Sequence, residues 1–165
     1  MPRTCIAIVD ATRARLFMFD RTSNGGAIRE ELSERTDLVN PARRHTASAL
    51  FSDTHPGSSR AGTRGFAFDD HRDAHVDQMD SEFARDIAVA IRRTLRETDS
   101  NRVILCASPR MLGALRATDL ENGGVVIDEL RRDLSKLTPP RIRELLVEHH
   151  LLPAMPPRPA FRRQA

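Results

Sequence analysis

The stretch RVILCASPRMLGALR, residues 102–116, decides the fold class. Its first half, RVILCA, is a continuous apolar run of the kind that is buried on both faces of a sheet. Ser108 and Pro109 follow, and these residue types are favoured at the N-cap and in the first turn of a helix. MLGALR then predicts a short helix. A buried strand that leads directly into a capped helix indicates an α/β layer.

The chain before this stretch predicts a long amphipathic helix over residues 76–97. Apolar residues recur there at steps of three or four, which is the spacing of a helix that buries one face. Asp73 is placed to cap this helix. The apolar stripe consists of Val76, Met79, Phe83, Ile87, Ile91 and Leu95.

Three antiparallel strands are predicted at the start of the chain. Residues 5–9 form an apolar run, and residues 13–19 alternate in polarity, so the two segments indicate a hairpin with Asp10 as the opening residue of its turn. Asn24, Gly25 and Gly26 predict a second turn. Residues 27–34 then predict a third strand, although their glutamate content also permits a helix.

The end of the chain predicts one more strand and one more helix. VVI follows Gly123 and Gly124, and Thr138 and Pro139 repeat the cap-plus-proline start before a last helix. The predicted order is therefore βββαβαβα, a single α/β domain at residues 1–150 with helices packed on a mixed sheet. Residues 151–165 are rich in proline and arginine and predict a loose tail.

Composition limits the choice of partners. The chain has 165 residues, its 26 basic residues are 25 Arg and Lys136, and the net charge is +3. Arginine suits bidentate contact with phosphate or carboxylate, but a charge this small permits an acidic partner without requiring one. Cys5 and Cys106 lie in apolar runs and are expected to be buried free thiols. Without a signal-like apolar start or a membrane-length apolar segment, we expect a cytoplasmic protein with no membrane partner.

One long segment matches neither a strand nor a helix. SDTHPGSSRAGTRGFAFDDHRDAH, residues 52–75, has no apolar residue at helical or strand spacing, so we predict a flexible loop at about residues 40–75. Loops of this length are usually functional or disordered. Arg60, Arg64 and Arg72 lie in it and are candidates for binding phosphate.

Other candidate sites are weaker. His71 and His75 have the spacing of metal ligands on a helix, but no cysteine accompanies them, and no metal site or cofactor is predicted. Ser108 and Arg110 are candidates for anion binding at a helix N-terminus. The strand order also occurs in ribonuclease-H-like nucleases, but their two-metal site needs a carboxylate after the fourth strand, where this chain has Ala107-Ser108-Pro109. No serine lies in a recognisable nucleophile motif.

Five segments in register resemble the bacterial host attachment protein family. They are CIAIVDATRARLFMFD, SDTHPGSSRAG, FARDIAVAI, ILCASPRMLGALR and DLSKLTPPRIRELL. That family is similar in fold to the central domain of archaeal and eukaryotic peptide-chain release factors. In those factors a loop before a long helix carries Gly-Gly-Gln, which enters the peptidyl-transferase centre of the ribosome and promotes hydrolysis of peptidyl-tRNA.

The resemblance places residues 52–75 at the position of that loop. Here the segment contains Gly57, Gly62 and Gly65, but it has neither an adjacent glycine pair nor a glutamine. We therefore expect a factor that binds the ribosome or RNA without the release-factor reaction. Two alternatives remain open, a protein-interaction module with an indirect role in attachment and a peptidyl-tRNA hydrolase or other hydrolase.

Overall fold

A five-stranded mixed sheet forms the centre of the computed structural model, which describes residues 3–43 and 66–155, with side chains in the second range described from residue 73. The strands lie in the order β3-β2-β1-β4-β5, with β2 antiparallel to β1 and β3, and β4 parallel to β1 and β5. The predicted mixed α/β domain is confirmed. The strands are β1 Thr4–Val9, β2 Arg13–Asn24, β3 Ala27–Val39, β4 Arg102–Ala107 and β5 Val126–Leu130.

Helices cover both faces of the sheet. α1 spans Phe66–Glu97, α2 spans Pro109–Arg116 and α3 spans Pro139–Glu148. The apolar residues of α1 and α2 pack on one face, and those of α3 pack on the other. Within the described chain, none of the helices combines the length and the apolar character needed to cross a bilayer.

Alternate residues of each central strand belong to the two core layers, because successive strand side chains point to opposite faces of the sheet. In β4 the buried Leu105 faces α1 and α2, whereas the buried Ile104 faces α3. The same alternation puts Cys5 and Cys106 on opposite faces as free thiols, as predicted. Burial raises the pKa of both thiols to about 12, so they remain protonated and act as apolar side chains.

The start of the long helix differs from the prediction. α1 begins at Phe66, ten residues before the predicted start at Val76, and Asp73 lies inside the helix instead of capping it. The predicted loop is therefore wrong for residues 66–75. Those residues have no apolar face, so the helical period that identifies buried helices is absent there. Residues 44–65, with Arg60 and Arg64, and the tail from residue 156 lie outside the described part of the chain.

The second and third strands are longer than predicted. β3 continues to Val39 instead of ending at Glu34, and β2 continues to Asn24. Since β1 pairs only with residues 14–19 of β2, the rest of β2 and its partner in β3 form a two-stranded extension of the sheet. Its turn holds Gly25 and Gly26 at φ values of 57° and 85°, a backbone region that glycine adopts without strain.

Candidate functional site

Three parallel strands end at the same edge of the sheet. β1, β4 and β5 run in one direction, so the residues that follow them, Asp10, Ser108 and Arg131, lie along one edge. We call it the carboxyl edge. Crevices at this edge are where open α/β sheets usually bind ligands.

Asp10 organises the turn between β1 and β2. Its Oδ1 accepts hydrogen bonds from the Thr12 N–H and hydroxyl, both at 2.6 Å, and from the Arg13 N–H at 2.8 Å. Burial alone would raise the pKa of Asp10, but the hydrogen bonds from Thr12 and Arg13 outweigh it and lower this pKa. The predicted role of Asp10 as the opening residue of a hairpin turn is confirmed.

Asn40 ties the end of β3 to the same turn. The buried Asn40 side chain donates from its Nδ2 to the carbonyl of Ala11 at 2.9 Å, and its backbone N–H donates to the carbonyl of Thr12 at 2.8 Å. Its Oδ1 accepts from the Ala42 N–H at 3.1 Å and so caps the helical residues 41–43. The sequence prediction missed this residue, although Asn40-Pro41 is the same cap-plus-proline pattern as Ser108-Pro109.

A group of four charged residues lies beside this turn, and we call it the Asp80 cluster: Arg43, Asp77, Asp80 and Arg110. Only 3% of the Asp80 side chain is exposed. Its Oδ1 accepts from an Arg43 Nη at 3.1 Å, and its Oδ2 lies 2.8 Å from Nε of Arg110. Arg110 also donates from an Nη to Asp77 at 2.7 Å.

The Asp80 cluster is balanced in charge, since two guanidinium groups face two carboxylates. A buried carboxylate needs such partners, because an unpaired charge away from water is costly. The cluster has no surplus positive charge to attract a ligand, and its contacts join residue 43, α1 and the start of α2. It therefore holds residue 43, where the segment 44–65 begins, against Asp80 of α1.

Ser108 and Arg110, the predicted anion site, are both engaged within the protein. The Ser108 hydroxyl oxygen accepts from the Met111 N–H at 3.4 Å and caps α2. Arg110 has half of its side chain exposed, but its donors face Asp77 and Asp80. Anion binding at this pair stays a prediction.

We call residues 66–78 of α1 the arm. Met79 is the first buried residue of α1 among those whose side chains are described. His75 lies on the arm and is exposed, whereas the side chains of His71 and Arg72 are not described. Where side chains are described, no group of three or more His, Cys, Asp or Glu residues is placed to hold a metal ion.

Comparison with known proteins identifies the family. No curated protein matches the chain. The sequence profile of one family, described as "Protein required for attachment to host cells", matches residues 5–146. That range contains β2 to β5 completely, all of β1 except Thr4, and the whole Asp80 cluster. Since the match covers most of the chain, this protein belongs to the host attachment family.

Proposed function

We propose that the protein is a ribosome- or RNA-associated binding factor that acts through the arm and the segment leading into it. Arg60 and Arg64 of that segment and Arg72 of the arm bind phosphate groups. Arginine suits this role because its planar guanidinium can donate two parallel hydrogen bonds to one phosphate.

The observation that carries this proposal is the exposure of the described part of the arm. Between residues 73 and 78 every side chain is exposed except the half-buried Val76. A helix rises about 1.5 Å per residue, so the whole arm is about 20 Å long. Side chains that are not buried gain little from packing on their own domain, which favours contact with another molecule.

The Asp80 cluster supports the proposal from the other end of the arm. Arg43 holds the chain just before residue 44, and Asp80 holds α1 less than one turn after the arm ends. The contact between Arg43 and Asp80 therefore fixes residue 43 and α1 together at the base of the arm. A fixed base lowers the entropy cost of presenting the arm to a large partner.

We infer that the finer fold is ribonuclease-H-like, of the type found in the central domain of archaeal and eukaryotic release factors. The strand order β3-β2-β1-β4-β5 and a long helix directly before β4 support this inference. In release factors such a helix follows the loop that enters the peptidyl-transferase centre. Because this chain has no Gly-Gly-Gln there, we propose binding without peptide release, in the cytoplasm, and an indirect role in attachment.

Co-sedimentation with ribosomes tests this function. We expect the protein to pellet with ribosomes at low salt and to be released as salt rises, since phosphate contacts displace counterions. Replacing Arg60, Arg64 and Arg72 by Ala should weaken the association and make its dependence on log salt shallower by about 2, at about 0.7 per lost contact. The variant Arg29→Ala/Arg35→Ala/Arg85→Ala removes the same charge from exposed positions elsewhere and should behave like the wild type.

Equal loss in both triple variants would contradict a specific role for the arm. Failure of the wild-type protein to associate with ribosomes or RNA would favour the protein-interaction alternative. Release of peptide from peptidyl-tRNA by the purified protein, abolished by His71→Ala, would favour the hydrolase alternative.

A further inference from the structure

A second basic surface lies at the carboxyl edge, on the α3 side of the sheet. The chain between β5 and α3, together with the first turns of α3, encloses a cleft of about 330 Å³. We call it the basic cleft. Its lining residues are Arg132, Asp133, Lys136, Leu137, Arg141 and Leu145.

Two of the three cations that line this cleft form no ion pair. Arg141 pairs with Glu144, but Arg132 and Lys136 form no ion pair with any described side chain. Both are exposed. Two neighbouring cations without an ion-pair partner produce a local positive potential that a ligand anion can satisfy.

Acidic residues offset part of this charge. Glu144 pairs with Arg141, a cation of the lining. Asp133, the one carboxylate in the lining, keeps its negative charge and accepts a hydrogen bond from the Ser135 N–H at 2.8 Å. Three cations and one carboxylate leave the lining positive, and neither Arg132 nor Lys136 is neutralised by an ion pair.

The protein holds the cleft in place without a ligand. Leu134 is buried in the core layer under α3, and the Leu137 carbonyl accepts from an Arg15 Nη at 3.1 Å. Ser135 lies close enough to Asp10 to contribute to the lowering of the pKa of that carboxyl, so the cleft lies near the turn that Asn40 joins to the base of the arm. A preformed site avoids the entropy cost of ordering a loop when it binds.

We propose that the basic cleft binds the sugar–phosphate backbone of single-stranded RNA. A groove with unpaired cations follows a flexible backbone, and the apolar walls formed by Leu137 and Leu145 can accept a ribose or the face of a base. A bilayer surface cannot enter a concave cleft, and the chain has no protruding apolar side chain at this place to insert into lipid. With no aromatic residue in the lining, binding is independent of base sequence and depends steeply on salt.

This contact is separate from the arm and does not depend on the proposed ribosome contact. It lies on the opposite face of the sheet from α1, and its cations belong to other elements.

Fluorescence anisotropy with a labelled oligouridine, measured over a series of KCl concentrations, tests the inference. The double variant Arg132→Ala/Lys136→Ala should bind about tenfold more weakly, with a dependence on log salt shallower by about 1.4, which is two contacts at about 0.7 each. The control is Arg29→Ala/Arg35→Ala, which removes two exposed, unpaired cations from β3 and should leave Kd and its salt dependence unchanged. Matching circular dichroism melts for the variants show that both are folded.

Each other outcome has a defined meaning. Equal loss in the two double variants would show that net charge alone drives binding, and the inference would be wrong. It would also be wrong if an oligoglutamate competitor of equal charge displaced the RNA as well as unlabelled oligouridine does, or if the double variant lost binding only to phosphatidylglycerol vesicles. Retained oligouridine binding by the Arg60→Ala/Arg64→Ala/Arg72→Ala variant would support the cleft, even if that variant no longer pelleted with ribosomes.

Discussion

At the scale of single residues, Asp80 holds the carboxyl edge together. Its carboxylate is almost completely removed from water and depends on Arg43 and Arg110 for compensation. The sequence identified Arg110 as a candidate anion ligand, but it did not identify Arg43 as a partner of Asp80. Arg43 and Asp80 are 37 residues apart, and no local spacing rule connects side chains across such a distance.

Asp80→Asn should destabilise the protein by about 3 kcal/mol. The substitution keeps the shape of the side chain but leaves the mostly buried Arg43 without its anion, and breaking a buried pair from one side costs about 3–5 kcal/mol. The lower value applies because Arg110 is half exposed and can be hydrated again. Chemical denaturation followed by circular dichroism measures this change in the free energy of unfolding.

The matched control is Asp77→Asn, the same substitution one turn earlier in α1. Asp77 pairs with the same Arg110, but 71% of its side chain is exposed. An exposed pair contributes about 0–1 kcal/mol, so this variant should be close to the wild type. Equal losses in the two variants would mean that burial of Asp80 does not determine the energetics of the cluster.

At the scale of elements, the sequence predicted the bounds of strands and helices best where a local residue pattern reflects burial. β4 and the start of α2 were predicted to the residue, because a doubly buried strand and a Ser-Pro cap are both local signals. The arm was missed because its sequence has no sustained apolar period. The length of β3 was underestimated because residues 35–37 are all polar, so the sequence shows no apolar alternation there even though the strand continues.

The two cap-plus-proline starts should differ in energy. Ser108 accepts a hydrogen bond from the Met111 N–H, whereas Thr138, at the same position before α3, makes no side-chain capping bond. Ser108→Ala should therefore cost about 0.5–1 kcal/mol, the low end for an N-cap because the bond is 3.4 Å long. Thr138→Ala should cost less, and the comparison of their melting temperatures measures the difference.

If Thr138→Ala proved as costly as Ser108→Ala, the Ser108 hydroxyl would not stabilise α2 as a cap. The loss would then come from the backbone preference of the residue before the proline, which the two sites share.

At the scale of the whole molecule, the charges are arranged as many arginine–carboxylate pairs over the sheet and helices. Hydrogen bonds from Arg15, Arg13 and Arg116 lower the pKa values of Glu34, Asp37 and Glu129, respectively. The sequence shows a chain rich in arginine with a small net charge. The pairs between β2 and β3 follow from the sheet register, in which Arg15 lies opposite Asp37 and diagonal to Glu34. The third pair joins Arg116 of α2 to Glu129 of β5.

These lowered pKa values predict a loss of stability in acid. A carboxyl group whose folded-state pKa is below its unfolded value stabilises the fold above the unfolded value and loses that contribution as pH falls through the folded one. The ordinary values are 4.5 for Glu and 3.8 for Asp, so the melting temperature should be level near neutrality and fall below about pH 4.5. Because these pairs are mostly exposed, added salt should make the fall shallower.

Asp37→Asn provides the internal check. The variant lacks one of the lowered groups, so its melting temperature should fall less between neutral and acidic pH than that of the wild type. A melting temperature that stays constant through the acid range, or an identical fall in the variant, would contradict this assignment of the acid-sensitive pairs.

The long outer strand also bears on how the protein behaves when it is concentrated. β3 has 13 residues, and within the described chain its only strand partner is β2, so its other side presents backbone groups that another chain could pair with. The exposed side chains along it include Arg29, Glu31, Arg35 and Asp37, which alternate in sign. Charged side chains of this kind oppose the addition of foreign strands, so β3 resists growth of the sheet into a fibre.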